Sequence, residues 1–90
     1  MRSALELDHK SREERRELSE LRRRYGVLTL REREVMAHIL RGRLNKQIAY
    51  DLGIVEKTAK VHRGRVMEKM EVRSVAALTH IAERLGLYES

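Results

Sequence analysis

The sequence predicts an all-α protein, one long N-terminal helix followed by four short ones, and three observations carry that expectation. Proline, phenylalanine and tryptophan are absent from the 90 residues, and long unbranched side chains, which favour helices over sheets, dominate. Apolar residues recur at three- and four-residue steps along several stretches. Glycines and hydroxyl-bearing residues fall between those stretches, where helices of a few turns would stop and start.

The N-terminal element comes first. Residues 2–24 hold eight basic and six acidic side chains and no glycine. Ala4, Leu7, Ser11, Glu14, Leu18, Leu21, Tyr25 and Leu28 follow a 3-4-3-4 spacing, the seam of a coiled coil interrupted by polar Ser11 and Glu14. Glu6 with Lys10, Asp8 with Arg12, Arg16 with Glu20 and Glu20 with Arg24 place opposite charges four apart, which supports a helix. Residues 3–24 are expected to form one helix, within an arm covering residues 1–24. Three fates stay open for it: self-association, docking on the following domain, or a solvated arm with no partner.

From Tyr25 the punctuation tightens, with Gly26, Gly42, Gly53, Gly64 and Gly86 as candidate breakers, and residues 25–90 read as one domain. Thr29-Leu-Arg-Glu32 is a capping box opening a helix to about Arg41, with Val35, Met36, Ile39 and Leu40 on one face. Asn45 reads as the cap of a two-turn helix that Gly53 closes. A longer helix opens near Glu56 and runs to about Met70. Ser74 caps the last, with Val75, Leu78, Ile81, Ala82 and Leu85 inward and Gly86 as its stop.

A two-turn helix, a glycine-led turn and a longer basic helix make the helix-turn-helix plan, here with its core at residues 45–64. On a 100° wheel, Ala59, Val66 and Met70 form the buried stripe of the longer helix, and His62 flanks it as a packed, hydrogen-bonded side chain. Lys57, Val61, Gly64 and Glu68 lie opposite, with Thr58, Lys60 and Arg65 on their margins. Between Lys57 and Lys69 five bases face one acid, Glu68, for a local charge of +4. A strip of small residues amid cations suits close approach to base edges and the thymine methyl, with Lys and Arg on phosphates at either side. Arg63 sits at the edge of the buried stripe, where an ion pair with Glu34 competes with a phosphate contact. Lys46 opens the two-turn helix, an end that attracts phosphate oxygens by itself.

Four motifs in order, Leu28-Thr-Leu-Arg-Glu-Arg-Glu-Val35, Asn45-Lys-Gln-Ile-Ala-Tyr-Asp-Leu-Gly-Ile54, Thr58-Ala-Lys-Val-His-Arg63 and Val66-Met-Glu-Lys-Met70, resemble the LuxR/FixJ/NarL-type DNA-binding domain over residues 25–88. The arm resembles the linker helix that joins a receiver domain to this output domain in FixJ-like response regulators. The resemblance implies a four-helix domain that binds double-stranded DNA, with the third helix in the major groove, and a homodimer formed through the fourth. Base-facing positions then fall on Lys60, Val61 and Gly64, with Lys57 beside them on the wheel. Phosphate contacts fall on Lys46, Thr58, Arg63, Arg65 and Lys69, and the dimer interface on Val75, Leu78, Thr79 and Ala82. A receiver domain beyond this chain and RNA polymerase are the further partners it implies. The sequence departs from the pattern at Leu30, where proline is frequent, at Val55, where a serine cap is usual, and at Gly64, where relatives often carry a side chain.

Composition agrees with a polyanionic partner: 20 Lys+Arg against 14 Asp+Glu leave +6, with an isoelectric point near 10.2. The absence of cysteine removes disulfides, thiolate metal sites and cysteine nucleophiles. His9, His38, His62 and His80 lack metal-ligand spacing, and no phosphate loop or serine beside a base appears. No enzyme activity, cofactor or metal is expected. No apolar run approaches membrane-spanning length, and the charged start does not read as a secretory leader, so a cytoplasmic setting is expected. Two rival readings remain: a promoter binder resembling sigma factor region four, and a coiled-coil protein-interaction module that binds no DNA.

Overall fold

The computed structural model describes the backbone of residues 4–87 and the side chains of residues 11–87. Those residues form five helices and no strand: α1 (Ala4–Val27), α2 (Leu30–Leu40), α3 (Asn45–Leu52), α4 (Glu56–Lys69) and α5 (Val75–Arg84). The molecule measures 56 × 24 × 20 Å, because α1, about 36 Å long at 1.5 Å per residue, extends past a small four-helix body.

The body is built around α4, which packs against both α2 and α3. Val35, Met36 and Ile39 from α2, Ile48 and Ala49 from α3, Ala59 and Val66 from α4 with Met70 just beyond it, and Leu78, Ile81 and Ala82 from α5 make one buried cluster. The apolar spacing read from the sequence therefore marks the core on every domain helix. α5 differs at its start, where Val75 is 36% exposed rather than inward.

The punctuation works as expected at five ends and differently at others. Thr29 Oγ1 accepts from the Glu32 amide at 3.1 Å while the Thr29 amide donates to Glu32 Oε1 at 2.9 Å, completing the capping box. Ser74 Oγ accepts from the Ala77 amide at 3.1 Å. Gly42 and Gly86 follow α2 and α5 with positive φ. Gly53 has φ +66°, and the amide of Ile54 returns to the Ala49 carbonyl at 3.0 Å, a left-handed reversal that a Cβ would disfavour. Gly26 and Gly64, by contrast, lie inside helices, and α1 runs through Gly26 to Val27 rather than stopping at residue 24. Asn45 is not the cap of α3. Leu44 occupies that position, and its amide donates to Gln47 Oε1 at 2.9 Å. Asn45 falls one residue inside the helix, where its Oδ1 is buried without a partner. Val55 leads into α4 with no side-chain cap.

Of the three fates for the arm, its C-terminal half docks. Leu21 and Leu28 are buried, and Leu18 and Tyr25 half-buried, so this part of the 3-4 seam faces the domain. Arg33 stacks its guanidinium 4.5 Å from the Tyr25 ring centroid, joining the end of α1 to α2. Arg84 of α5 reaches Glu17 at 3.3 Å, and Arg24 reaches Glu71, just beyond α4, at 3.0 Å. Further up the seam, Ser11 and Glu14 are exposed. The Ala4 and Leu7 positions, and the pairs Glu6–Lys10 and Asp8–Arg12, lie outside the residues whose side chains are described.

Candidate nucleic-acid interface

α4 is oriented by what it buries. Ala59 and Val66 on the helix and Met70 at its end are all 0% exposed, so the opposite strip has to face outward. Lys57, Lys60, Val61, Gly64, Arg65 and Glu68 are exposed there, and Thr58 and Arg63 are half-buried at the margins. Val61 leaves 45% of its surface open on a helix whose inward positions are completely covered. A Cβ placed on Gly64 would meet nothing within 4 Å, so no packing inside this chain requires glycine at that site. The helix accepts roughly 0.5–1 kcal/mol of lost propensity there without an internal steric reason.

The cations of α4 divide into two sets. Lys57, Lys60, Arg63 and Arg65 have no carboxylate partner among the described residues. The competing Arg63–Glu34 pair does not form; Glu34 meets Arg31 instead, at 3.0 Å. Lys69 behaves differently. Expected on phosphate, it donates instead to Glu32 Oε1 at 2.6 Å. Glu32 is 2% exposed, and an unpaired carboxylate so placed would be strongly disfavoured. Burial pushes the Glu32 carboxyl up, but the Lys69 ammonium and the Thr29 amide outweigh it and hold the group below the usual carboxylate range. One side chain thus closes the α2 cap and ties α2 to the last turn of α4. The capping role is visible in the local sequence, whereas the tie to Lys69, 37 residues away, is not.

Lys46 is exposed in the first turn of α3. His62 packs at the edge of the core as expected, but its Nδ1 is buried without a hydrogen-bond partner. On α5 the expected interface residues separate. Leu78 and Ala82 are 0% exposed and belong to the core of this chain, so they offer no surface to a second copy, whereas Val75 is exposed and Thr79 half-buried. The resemblance implied all four as one interface, but Leu78 and Ala82 also belong to the inward spacing of α5, and periodicity does not distinguish a covering neighbour in the same chain from one in another.

The described residues hold no group of three His, Cys, Asp or Glu side chains able to bind a metal ion, and no helix long and apolar enough to cross a membrane. The arrangement is a surface rather than a reaction centre: a short helix, a glycine reversal, and a second helix presenting small residues between unpaired cations.

Residues 26–82 match the family model described as bacterial regulatory proteins, luxR family. The chain belongs to the LuxR family. Residues 26–82 are thus a LuxR-type helix-turn-helix DNA-binding domain, and the family is one of transcription regulators, not of enzymes. The chain is 45% identical over 85 residues to the response regulator protein TodT of Pseudomonas putida, covering 94% of this chain and 37% of that one. The solved structure of the response regulator StyR matches with a TM-score of 0.86 at 44% identity over 89% of this chain and 40% of that chain. Full-length FixJ from B. japonicum matches with a TM-score of 0.76 at 32% identity, over 88% and 39%. This LuxR-family chain therefore spans about two fifths of the length of these relatives.

Proposed function

We propose that this chain reads double-stranded DNA by sequence, with α4 in the major groove, as the output module of a response regulator that controls transcription. The observation that carries the reading is the open strip of α4. Val61 and Gly64 lie exposed between Lys57, Lys60, Arg63 and Arg65, none of which has an acid to neutralise it among the described residues. Gly64 has no internal steric demand, and a backbone left bare at that point suits the close approach of a base edge. Lys57, Lys60, Val61 and Gly64 face the bases, while Lys46, Thr58, Arg63 and Arg65 take phosphates. Lys69 is assigned to holding α4 in place rather than to DNA.

Relatives that are response regulators support a receiver domain preceding α1 in a longer protein; RNA polymerase as a downstream partner and the cytoplasm as the setting are part of the same proposal. Homodimerisation on DNA is assigned to the outer side of α5 around Val75 and Thr79, with the exposed part of α1 as a second contact.

The test is selection of bound sites from random duplex DNA, read for half-site sequence and spacing. Two related half-sites are expected, with log K falling against log[salt] at a slope near −4.5 if about five phosphates are neutralised per domain. Absence of duplex affinity, or affinity indifferent to salt, would leave only a protein-interaction module.

A further inference from the structure

At the far end of α4 the chain reverses through Glu71, the one non-glycine residue with positive φ (56°) among the described residues. Its amide returns to the Glu68 carbonyl at 3.0 Å and the Val72 amide to the Met67 carbonyl at 3.0 Å, so Glu71 is locked to the last turn of α4. Glycine takes this left-handed position after a helix without steric cost, and glutamate does not. The side chain at 71 therefore supplies something that glycine cannot. Its Oε2 lies 3.0 Å from Arg24 Nε on α1, and Arg24, under a quarter exposed, also meets Glu20 at 3.5 Å. Arg24 Nε has no aligned hydrogen-bond acceptor, so the tie is an ion pair set by distance more than by angle, and it weakens as the two helices shift apart. Seven residues earlier Glu17 holds Arg84 at the end of α5, and between the two pairs Leu21 enters the same buried cluster as Val66 and Met70.

The geometry points to Arg24 as a positioning residue for α4: through Glu71 it couples the N-terminal helix to the end of the DNA-facing helix. Displacing α1 then changes how α4 sits in the groove. By thermodynamic reciprocity, bound DNA must in turn hold α1 more firmly against the domain. This inference rests on the reading of α4 as the DNA-contacting helix, and it assigns that helix a route of control.

Amide hydrogen exchange on the 90-residue chain, with and without a duplex recovered by selection, tests it. In the wild type, DNA slows exchange over residues 18–27 by about threefold or more. Arg24→Gln and Glu71→Gln still bind but lose that slowing, and the charge swap Arg24→Glu with Glu71→Arg restores it. Glu71→Gly separates coupling from support of the fold. It relieves the left-handed strain, so the melting temperature holds or rises while the slowing disappears. Without DNA, Arg24→Gln speeds exchange at the Glu71 and Val72 amides by about threefold or more. Unchanged exchange at those two amides in Arg24→Gln overturns the inference. So does DNA-induced slowing of α1 that is equal in wild type and Glu71→Gly. A chain that binds no duplex fails the functional reading instead, and the DNA-free arm still decides whether α1 and α4 are tied.

Discussion

Where α1 meets the domain, two of its cations have acids beside them, whereas Arg16 and Arg22 meet no carboxylate among the described residues. Arg23 bonds Glu20 at 2.7 Å, Arg24 lies between Glu20 and Glu71, and Arg84 comes across from α5 to Glu17. Along the outward face of α4, Lys57, Lys60, Arg63 and Arg65 meet no carboxylate among the described residues, although Glu56 and Glu68 belong to the same helix. Both helices are strongly charged, so charge content alone would nominate either as a nucleic-acid surface. What separates them is where the counter-charge lies. Arg23 and Arg24 of α1 are matched by acids where the helix meets the domain, whereas Lys57, Lys60, Arg63 and Arg65 of α4 leave their positive charge to be met from outside.

The largest expected effect that sharpens this comparison is Val61→Glu. An anion on the open strip of α4 should reduce specific DNA affinity by about 100-fold or more, roughly 2.7 kcal/mol, with the helical circular dichroism unchanged because Val61 is exposed. Ser19→Glu, on an exposed position of α1, should leave the same footprint intact. An unaltered footprint in the Val61 variant would remove α4 from the interface.

Next comes Glu32→Ala, which breaks the internal tie of α4 rather than its outer face. A loss of about 2–3 kcal/mol in unfolding free energy at pH 7 is expected, since a capping hydrogen bond and a charge-assisted one disappear together; the lower part of that range applies because Lys69 keeps 32% of its side chain open to water. The Glu32 carboxyl is depressed in the folded state. Its stabilisation is therefore fully present above the unfolded carboxylate pKa, about 4.3, and is lost as pH falls through the lower folded value. Denaturant titrations of variant and wild type should converge at low pH, and a constant difference would assign the effect to packing.

Lys60→Ala should relax base preference by roughly 1–2 kcal/mol if the ammonium reads a base edge. Equal losses on selected and random duplexes would move Lys60 to the phosphates. The smallest effect separates the helices most directly. Arg65→Ala should reduce the magnitude of the salt slope by about 1, whereas Arg23→Ala, whose charge is already matched by Glu20, should leave it unchanged. A fall in slope for Arg23 would show that α1 also lies along DNA.

Much of this division was legible before any coordinates. Periodicity identifies Ala59, Val66 and Met70 as inward and Val61 and Gly64 as outward, and the wheel needs only helix geometry to do so. The Thr29 and Ser74 caps are equally local, because each closes within three residues. Asn45 shows the limit of cap reading. Its residue type suits a cap, but the turn after Gly42 lets the helix begin one residue earlier, with Gln47 closing onto Leu44. On α5, Leu78, Ile81 and Ala82 are inward as their spacing predicts, whereas Val75 is not, and Leu78 and Ala82 are covered by this chain's own helices.

The order of helices, their inward stripes and the exposed strip of α4 follow from the sequence, because each depends on spacings within a few turns of one helix. The partners of charged groups do not. Lys69 with Glu32, Arg24 with Glu71 and Arg84 with Glu17 join residues from 37 to 67 positions apart, and any of several acids could have served each base. Only the packing of α1 and α2 around α4 brings those particular charges within hydrogen-bond or ion-pair distance, and with them decides which cations are tied up internally and which stay open to solvent.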